Sequence, residues 1–563
     1  MTWLLIGIDV GGTFTDGVLF NGRDIVKTIK RPTDNNNLQS VMLDVLDDLL
    51  EVVPDQKTVE RIVLSTTLVT NLLATGQGKR TALILIPGYG LPHAAYHLSP
   101  DTFFLSGAID FRGREIQPLS LNEIISLAEK LKKQGIKRAA VAGKFSNRNR
   151  SHEDQVAHIL KKEYADLEVT LSCDISNRLN FPRRAATAYF TAMVSPEWQH
   201  FVDEVEKALQ QKGLEAEVHI LKADGGTLPL SSSRKYPCET IFSGPAASTM
   251  GALALTMDNQ NSLVVDIGGT TSDLALLVEG LPLHASKGAR LLGQYTHVDA
   301  VSVRSIAIGG DSPLAFVDGE LRILSQRQGP AACFGGETAT VTDAFNYRLS
   351  LNQGDIDRSR EYLQKIADMA HLKLEDLCDR IINQVVTTLS EATREMFKEW
   401  ENEPAYRVWE IVHRKHFTLD RVVGIGAAAY CIIPRVAETL EVQPFIHRYS
   451  DVANALGAAV ARPTLSVYLH LDTERSLCAV EPGGIVEKRS DIGKYQLEDA
   501  RQLAVNYLYE MGKVRGMDDY LEDYKVFLEE QFNMIRGWSR TGRLFDVGVQ
   551  IAPGLIQAYQ GVE

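Results

Sequence analysis

Two short stretches of the chain carry residues whose types and spacing can do chemistry. Residues 7–20 read GIDVGGTFTDGVLF, and residues 264–277 read VVDIGGTTSDLALL. Aligned on their aspartates, they share D-x-G-G-T-x-x-D: Asp9, Gly11, Gly12, Thr13 and Asp16 in the first, Asp266, Gly268, Gly269, Thr270 and Asp273 in the second. Apolar runs flank both turns, as expected of two short strands joined by a tight loop. Backbone N–H groups on the inside of such a turn can donate to a phosphate, and glycine permits both the close approach and a positive φ. The threonine hydroxyl adds a donor. A carboxylate repels phosphate, so the useful role of Asp9 and Asp266 is to hold a hydrated Mg²⁺ or to orient water. Asp16 and Asp273, closing the turns, read as turn formers. One copy alone can be a plain glycine-rich hairpin. Two copies in one register imply paired lobes, each offering a phosphate-binding hairpin to a cleft between them.

The elements that must hold these turns follow from periodicity. Strands are expected at 3–9, 17–20, 61–65, 81–86 and 138–142, with helical spacing of apolar residues at 37–52 and 121–134. Alternation of this kind specifies an α/β architecture. Residues 183–208 read as mostly helix, and 217–221 as a strand entering the turn DGGTLP. The pattern restarts at 263, passes through a helical region at 359–398, and gives a strand, turn and helix at 419–440. Apolar density drops at 257–261 and again after Pro463. The expected units are therefore 1–257, 258–463 and a C-terminal α/β region at 464–563, with strand-like pieces around a helix-rich, acidic middle at 496–530.

Composition bounds the partners. At 563 residues the chain exceeds a single core, and its 44% apolar and 23% charged residues are those of an ordinary soluble protein. The net charge of -13 argues against a nucleic-acid or anionic-membrane partner. Six scattered cysteines without a CxxC pair fit a reducing, cytoplasmic setting, and the apolar start ends at Asp9, too short for a signal or membrane span.

Other signals are weaker. GQGKRT at 76–81 lacks the spacing of a P-loop and reads as an exposed basic turn. RVVGIGAAA at 421–429 suits a shelf for an adenine or ribose better than a dinucleotide fingerprint. His413 and His416 lack a third ligand nearby, whereas His297 and Asp299 in THVDA can share a metal. Cys333 has no recognisable histidine partner and reads as a buried thiol.

Together these residues resemble the actin, sugar-kinase and heat-shock-chaperone superfamily, and within it the A-type chains of the hydantoinase/5-oxoprolinase family. The resemblance rests on several blocks in a shared order: STTLVTNLLATGQGKRTALI (65–84), KADGGTLPL (222–230), ETIFSGPAAS (239–248), GPAACFGGETATVTDA (329–344), GIGAAAYCIIPRVAETL (424–440) and ANALGAA (453–459). Leu64-Ser65-Thr66-Thr67 and IGGDS (308–312) depart from the family's usual His-Gly-Thr-Thr and glycine-rich runs, and without the long β-rich extension and fused second subunit of full-length members the chain looks like a short branch.

The resemblance implies a two-lobed, actin-like (ribonuclease H-like) ATPase fold and ATP-dependent opening of a cyclic amide such as a hydantoin or 5-oxoproline. Phosphorylating the carbonyl oxygen makes that oxygen a leaving group, so water can attack the carbon. Gly11, Gly12, Thr13, Gly268, Gly269 and Thr270 then face the β- and γ-phosphates, and Gly424, Gly426 and Asn454 the adenosine side. Thr66, Thr67, Asn71, Ser243, Gly244 and Asp343 are the candidates for substrate. Asp299 is a candidate metal ligand. Asp311 is a base for the attacking water, a metal ligand or a turn aspartate, and Asp343 is alternatively a helix cap. The expected partners are further copies of the chain in a homo-oligomer and a second, B-type subunit. A ketone-carboxylase component, a small-molecule kinase and a partner-reactivating ATPase are the competing functions.

Overall fold

The apolar runs on either side of each Asp-x-Gly-Gly-Thr turn pair as antiparallel strands, and each pair sits inside a larger sheet. In the computed structural model, which describes residues 3–34, 37–402, 418–426, 428–536 and 539–562, the first hairpin is Leu4–Val10 with Phe14–Phe20. Asp9 stands opposite Asp16 across it and opposite Ser65 on the parallel neighbour Val59–Thr66. The sheet runs in the order Thr227–Pro229, Glu217–Leu221, Val59–Thr66, Leu4–Val10, Phe14–Phe20, Ile25–Pro32.

The second lobe repeats the arrangement. Ser262–Ile267 and Ser272–Val278 form its hairpin with Asp266 opposite Asp273, and Arg421–Ile425 is the parallel neighbour. Gly11 N–H donates to Phe14 O at 3.0 Å in one turn, and Gly268 N–H to Thr271 O at 2.9 Å in the other. The matched sequence thus closes matched turns.

Between the lobes lie two helices rich in small residues, Ser243–Thr256 and Ala453–Val460. They share one core with Leu5, Val18, Val264 and Ala275 of the two hairpins. Glycine lets backbones touch here: a Cβ on Gly7 would lie 1.9 Å from Ala455 O, and one on Gly457 would lie 2.2 Å from Gly251 N.

The division at 257 and 463 needs refinement. The first unit holds a second, all-parallel sheet, in the order Glu168–Leu171, Arg138–Gly143, Ala82–Ile86, Thr102–Phe104. Its central strands are apolar on both faces because helices cover both sides: Leu121–Lys133 and Ser151–Glu163 contribute to one core, Phe181–Gln211 to the other. The C-terminal unit is a five-stranded antiparallel sheet with the helix Leu497–Val514 packed on it. Its strand Tyr524–Arg536 occupies the end of the segment expected to be helix-rich. The helical stretch at 359–398 is two helices, Ile356–Ala370 and Leu374–Glu401. His413 and His416 lie outside the described residues. Among the described residues no helix is long and apolar enough to cross a membrane.

Candidate active site

Asp9 and Asp266 end the central strands of the two lobes, and one side chain reaches both. Asn454 Nδ2 lies 3.3 Å from Asp9 Oδ2 and 3.5 Å from Asp266 Oδ2. The helix that presents Asn454 is fixed between the lobes by the close glycine contacts, so the bridge is a product of their packing. Ser248, in the second turn of the Ser243–Thr256 helix, donates to Asp266 Oδ2. Asp9 is 2% exposed, and its Oδ1 has no hydrogen-bond partner. Burial, with the nearby Asp16 and Asp266 carboxylates adding to it, pushes Asp9 up to about 7. Burial also raises Asp266, although part of that residue remains exposed.

The hairpin tips face each other. A Cβ on Gly269 would lie 3.0 Å from Thr13 Oγ1 and 2.9 Å from Asp311 Oδ2, whereas one on Gly12 would meet nothing within 4 Å. The 308–312 loop backs the second tip: Gly310 N–H donates to Gly268 O at 2.9 Å, and Asp311 N–H to Gly269 O at 2.7 Å. Asp311 is raised by its partial burial, against the pull of Arg327, whose Nη2 stands 2.8 Å from its Oδ2.

On the first lobe's side, Ser243 begins its helix beside the end of Val59–Thr66. Its hydroxyl donates to Thr66 O at 3.0 Å and lies 3.3 Å from Ser65 Oγ. A Cβ on Gly244 would meet nothing within 4 Å, so the helix start faces open space. Thr67 caps the short helix Leu68–Ala74, and Asn71 Nδ2 donates to its hydroxyl at 3.3 Å. Thr66, Thr67, Asn71, Ser243 and Gly244 therefore gather around one strand end.

Three expectations change, and for Asp343 the helix-cap reading holds. Asn454, expected on the adenosine side, bridges the carboxylates of the two hairpins. Gly424 lies inside the strand Arg421–Ile425, where a Cβ would lie 2.5 Å from Ile433 Cγ1, so it serves packing. Asp343 caps the helix Val341–Leu349 and accepts from Ala332 N, Cys333 N and Thr340 N, each at 2.9 Å, so it organises a loop instead of meeting a substrate. Asp299 is gripped by Arg178 at 2.9 and 2.8 Å and lines cavities that neither Asp9 nor Asp266 lines. Burial is the largest influence and opposes its charge, but Arg178, Lys222 and His284 together hold its pKa below the usual carboxylate value. Its metal assignment therefore gives way to an ion pair.

Gly426 remains beside the site. Its φ of 87° suits glycine, and a Cβ there would lie 3.2 Å from Asp266 Oδ1. The Cys333 thiol is buried and pushed up to about 12 by that burial, which fits an inert thiol. Sequence reasoning missed Ser248 and Arg327. Ser248 ends the Ser-Gly-Pro-Ala-Ala-Ser run, and its spacing of five from Ser243 was the available signal. Nothing local marks Arg327 as the partner of Asp311.

Family models match most of the chain. The hydantoinase/oxoprolinase model matches residues 184–467, and the model of that family's N-terminal region matches residues 5–164. The chain belongs to the hydantoinase/oxoprolinase family. Among the family's curated relatives, the alpha chain of the caprolactamase of Pseudomonas jessenii is 24% identical over 483 residues, covering 77% of this chain and 67% of that one. The 5-oxoprolinase of Saccharomyces cerevisiae is 25% identical over 539 residues, 81% of this chain but 41% of that one. A nucleotide-free acetone carboxylase structure aligns with a TM-score of 0.72 at 17% identity, covering 99% of this chain and 89% of the other. The fold of that structure is thus shared over nearly the whole chain, and the actin-like two-lobed α/β architecture is this protein's architecture.

Proposed function

We propose that the chain uses ATP and Mg²⁺ to open a cyclic amide. The observation that carries this reading is the facing pair of phosphate-type hairpins whose carboxylates, Asp9 and Asp266, are joined through Asn454. Family membership supports it, as do two relatives whose names specify lactam-opening enzymes. A Mg²⁺ ion fits the pair. The oxygens of Asp9 and Asp266 are hard donors, and Asp9 Oδ1 is buried without a partner. Among the described residues no three His, Cys, Asp or Glu side chains form a metal cage, which matches an ion that keeps waters and phosphate oxygens as its other ligands. When bound, Mg²⁺ supplies positive charge beside the transferring phosphoryl group.

The chain's own groups then have distinct tasks. The hairpin tips at Gly12–Thr13 and Gly269–Thr270 cradle the phosphates while the N–H groups of Gly11 and Gly268 close the turns behind them, and the Thr13 and Thr270 hydroxyls add donors. Asn454 holds the two carboxylates at a fixed spacing, and Ser248 orients Asp266. Transfer of the γ-phosphoryl group to the amide oxygen releases ADP and removes the resonance that protects the ring. Water adds to the carbon, the ring nitrogen leaves as an amine, and a second water cleaves the acyl phosphate. The sum is one ring opened and one ATP hydrolysed. Asp311, beside the second tip, is placed to orient water. Thr66, Thr67, Asn71, Ser243 and Gly244 border the space open to the reacting end.

The test is turnover by the purified chain with ATP, Mg²⁺ and a panel of lactams, hydantoins and ketones, with and without bicarbonate. Substrate-dependent ADP with ring-opened product supports the reading. A stable phosphoester, or ADP formation that requires a ketone and bicarbonate, overturns it in favour of a kinase or a carboxylase component. A second, B-type subunit is among the proposed partners, and a relative's designation as a subunit supports a multi-chain enzyme. ADP formed without ring opening assigns activation to this chain and ring opening to that partner.

A further inference from the structure

Asp311 sets a carboxylate where the proposed function sets phosphate. A Cβ on Gly269 would lie 2.9 Å from Asp311 Oδ2 and 3.0 Å from Thr13 Oγ1, so the acid and the first lobe's hydroxyl approach the same point at the second tip. The backbone leaves the acid no room to withdraw. Its N–H donates to Gly269 O at 2.7 Å, and its neighbours are pinned by Thr342 N–H to Gly310 O at 2.8 Å and by Val341 N–H to Ser312 O at 3.1 Å. An unmatched carboxylate this near the tips would oppose an entering phosphate, and more strongly in a cleft shielded from water than in bulk solvent.

The chain doubles back to answer that charge. After Ser312 it runs out along Leu314–Val317 and returns along Glu320–Ile323, the two strands pairing antiparallel. Leu324 N–H donates to Pro313 O at 2.8 Å, which closes the excursion beside its starting point. Arg327 then reaches Asp311, with Nε 3.0 Å and Nη2 2.8 Å from Oδ2, the oxygen nearest Gly269. The Ala331 backbone N–H donates to the same carboxylate. Arg327 has no other ion pair among the described residues, and the Asp311 side chain is only 13% exposed, so this is not a pair that water screens freely. The other carboxylates near the tips are matched as well. Lys30 Nζ stands 2.6 Å from Asp16, and the proposed Mg²⁺ answers Asp9 and Asp266.

We propose that Arg327 is a positioning residue that lets the second hairpin accept the terminal phosphoryl group of ATP, by cancelling the charge of Asp311 and holding its carboxylate in place. The proposal rests on the reading that the tips hold phosphate, and it is independent of which ring the protein opens. Arg327 acts through Asp311 and needs no contact with ATP.

The test is calorimetric titration of the full chain in Mg²⁺ with ADP and with adenylyl imidodiphosphate, an ATP analogue that resists hydrolysis. Arg327→Gln is expected to weaken the analogue at least about tenfold and ADP less than about threefold, because only the analogue carries the phosphoryl group beside the uncovered charge. Arg327→Lys keeps a cation there and should bind the analogue within about threefold of wild type. The deciding variant is the double substitution. Adding Asp311→Asn to Arg327→Gln removes the charge that needed cancelling, so analogue affinity should return to within about threefold of wild type. A double variant as weak as Arg327→Gln means that the arginine grips phosphate directly or only supports its loop, and overturns the proposal. Equal losses for ADP and the analogue overturn it too. A wild-type chain that binds neither nucleotide overturns the phosphate reading of the hairpins and this role with it, whereas normal wild-type binding with no loss in Arg327→Gln overturns this role alone.

Discussion

Gly269 stands so close to Thr13 that a Cβ on it would lie 3.0 Å from the threonine hydroxyl oxygen. Two residues from opposite lobes, at neighbouring places in a repeated motif, thus meet tip to tip.

Gly269→Ala must push that contact or the neighbouring Asp311 carboxylate aside, since its Cβ would fall 2.9 Å from Asp311 Oδ2. Gly12→Ala meets no protein atom within 4 Å. The expected result is a drop in Tm for Gly269→Ala alone, while both variants lose ATP affinity by about tenfold or more, because a methyl group occupies space meant for phosphate. Thermal melts with and without ADP separate the two effects. A Gly12→Ala variant with wild-type nucleotide affinity would remove that turn from the phosphate site.

Asp9→Ala and Asp266→Ala should each lower ATP turnover at least about a hundredfold if both carboxylates organise the metal. Asn454→Ala should cost less, about tenfold, and should raise the Mg²⁺ concentration needed for half-maximal rate, because the carboxylates lose the amide that spaces them. Magnesium titrations of steady-state ADP release read both. An unchanged magnesium requirement in Asn454→Ala refutes the spacing role.

Asp9 also predicts a pH dependence. Its pKa in the fold is raised from 3.8 to about 7, chiefly by burial. The stability tied to its neutral form is therefore complete below about pH 4 and is lost progressively as pH rises from there through 7. Asp9→Asn stays neutral throughout. In EDTA it should lie within about 1 kcal/mol of the wild type at pH 4.5 and exceed it at pH 8 by roughly 2–4 kcal/mol, on the scale of about 1.4 kcal/mol per pKa unit. Denaturant melts at the two pH values check this, and a difference independent of pH would contradict it.

Asp343→Ala removes an acceptor shared by three backbone N–H groups, each 2.9 Å away. A loss of about 2–4 kcal/mol of stability is expected, with KM for the ring substrate unchanged in the folded fraction. A raised KM at unchanged stability would return Asp343 to the substrate site.

The parts of the fold written in local sequence were readable there. Each hairpin needs only its apolar runs and its glycines, so Asp9 and Asp266 were found at the ends of the right strands, and Glu217–Leu221 was found with its exact bounds. Contacts made by residues far apart in the chain were not readable. Asn454 resembles any helix residue until its helix is set between the lobes, 445 residues from Asp9. Asp299 reads as a metal ligand until Arg178, 121 residues earlier, takes it. Gly424 looks like part of a nucleotide turn because packing glycines and binding glycines carry the same letter, and only the Ile433 contact tells them apart.

The backbone contact between Gly457 and Gly251 sets how the molecule can move. Helices that touch without intervening side chains have no soft layer to shear through, so sliding of one lobe past the other is resisted there. Rotation about the contact is the freedom that remains. Asn454, three residues from Gly457 in the same helix, then lies close to the axis. If the hairpins hold a nucleotide, a swing about this contact parts them while the two carboxylates keep their separation, a caliper whose zero stays fixed as it opens.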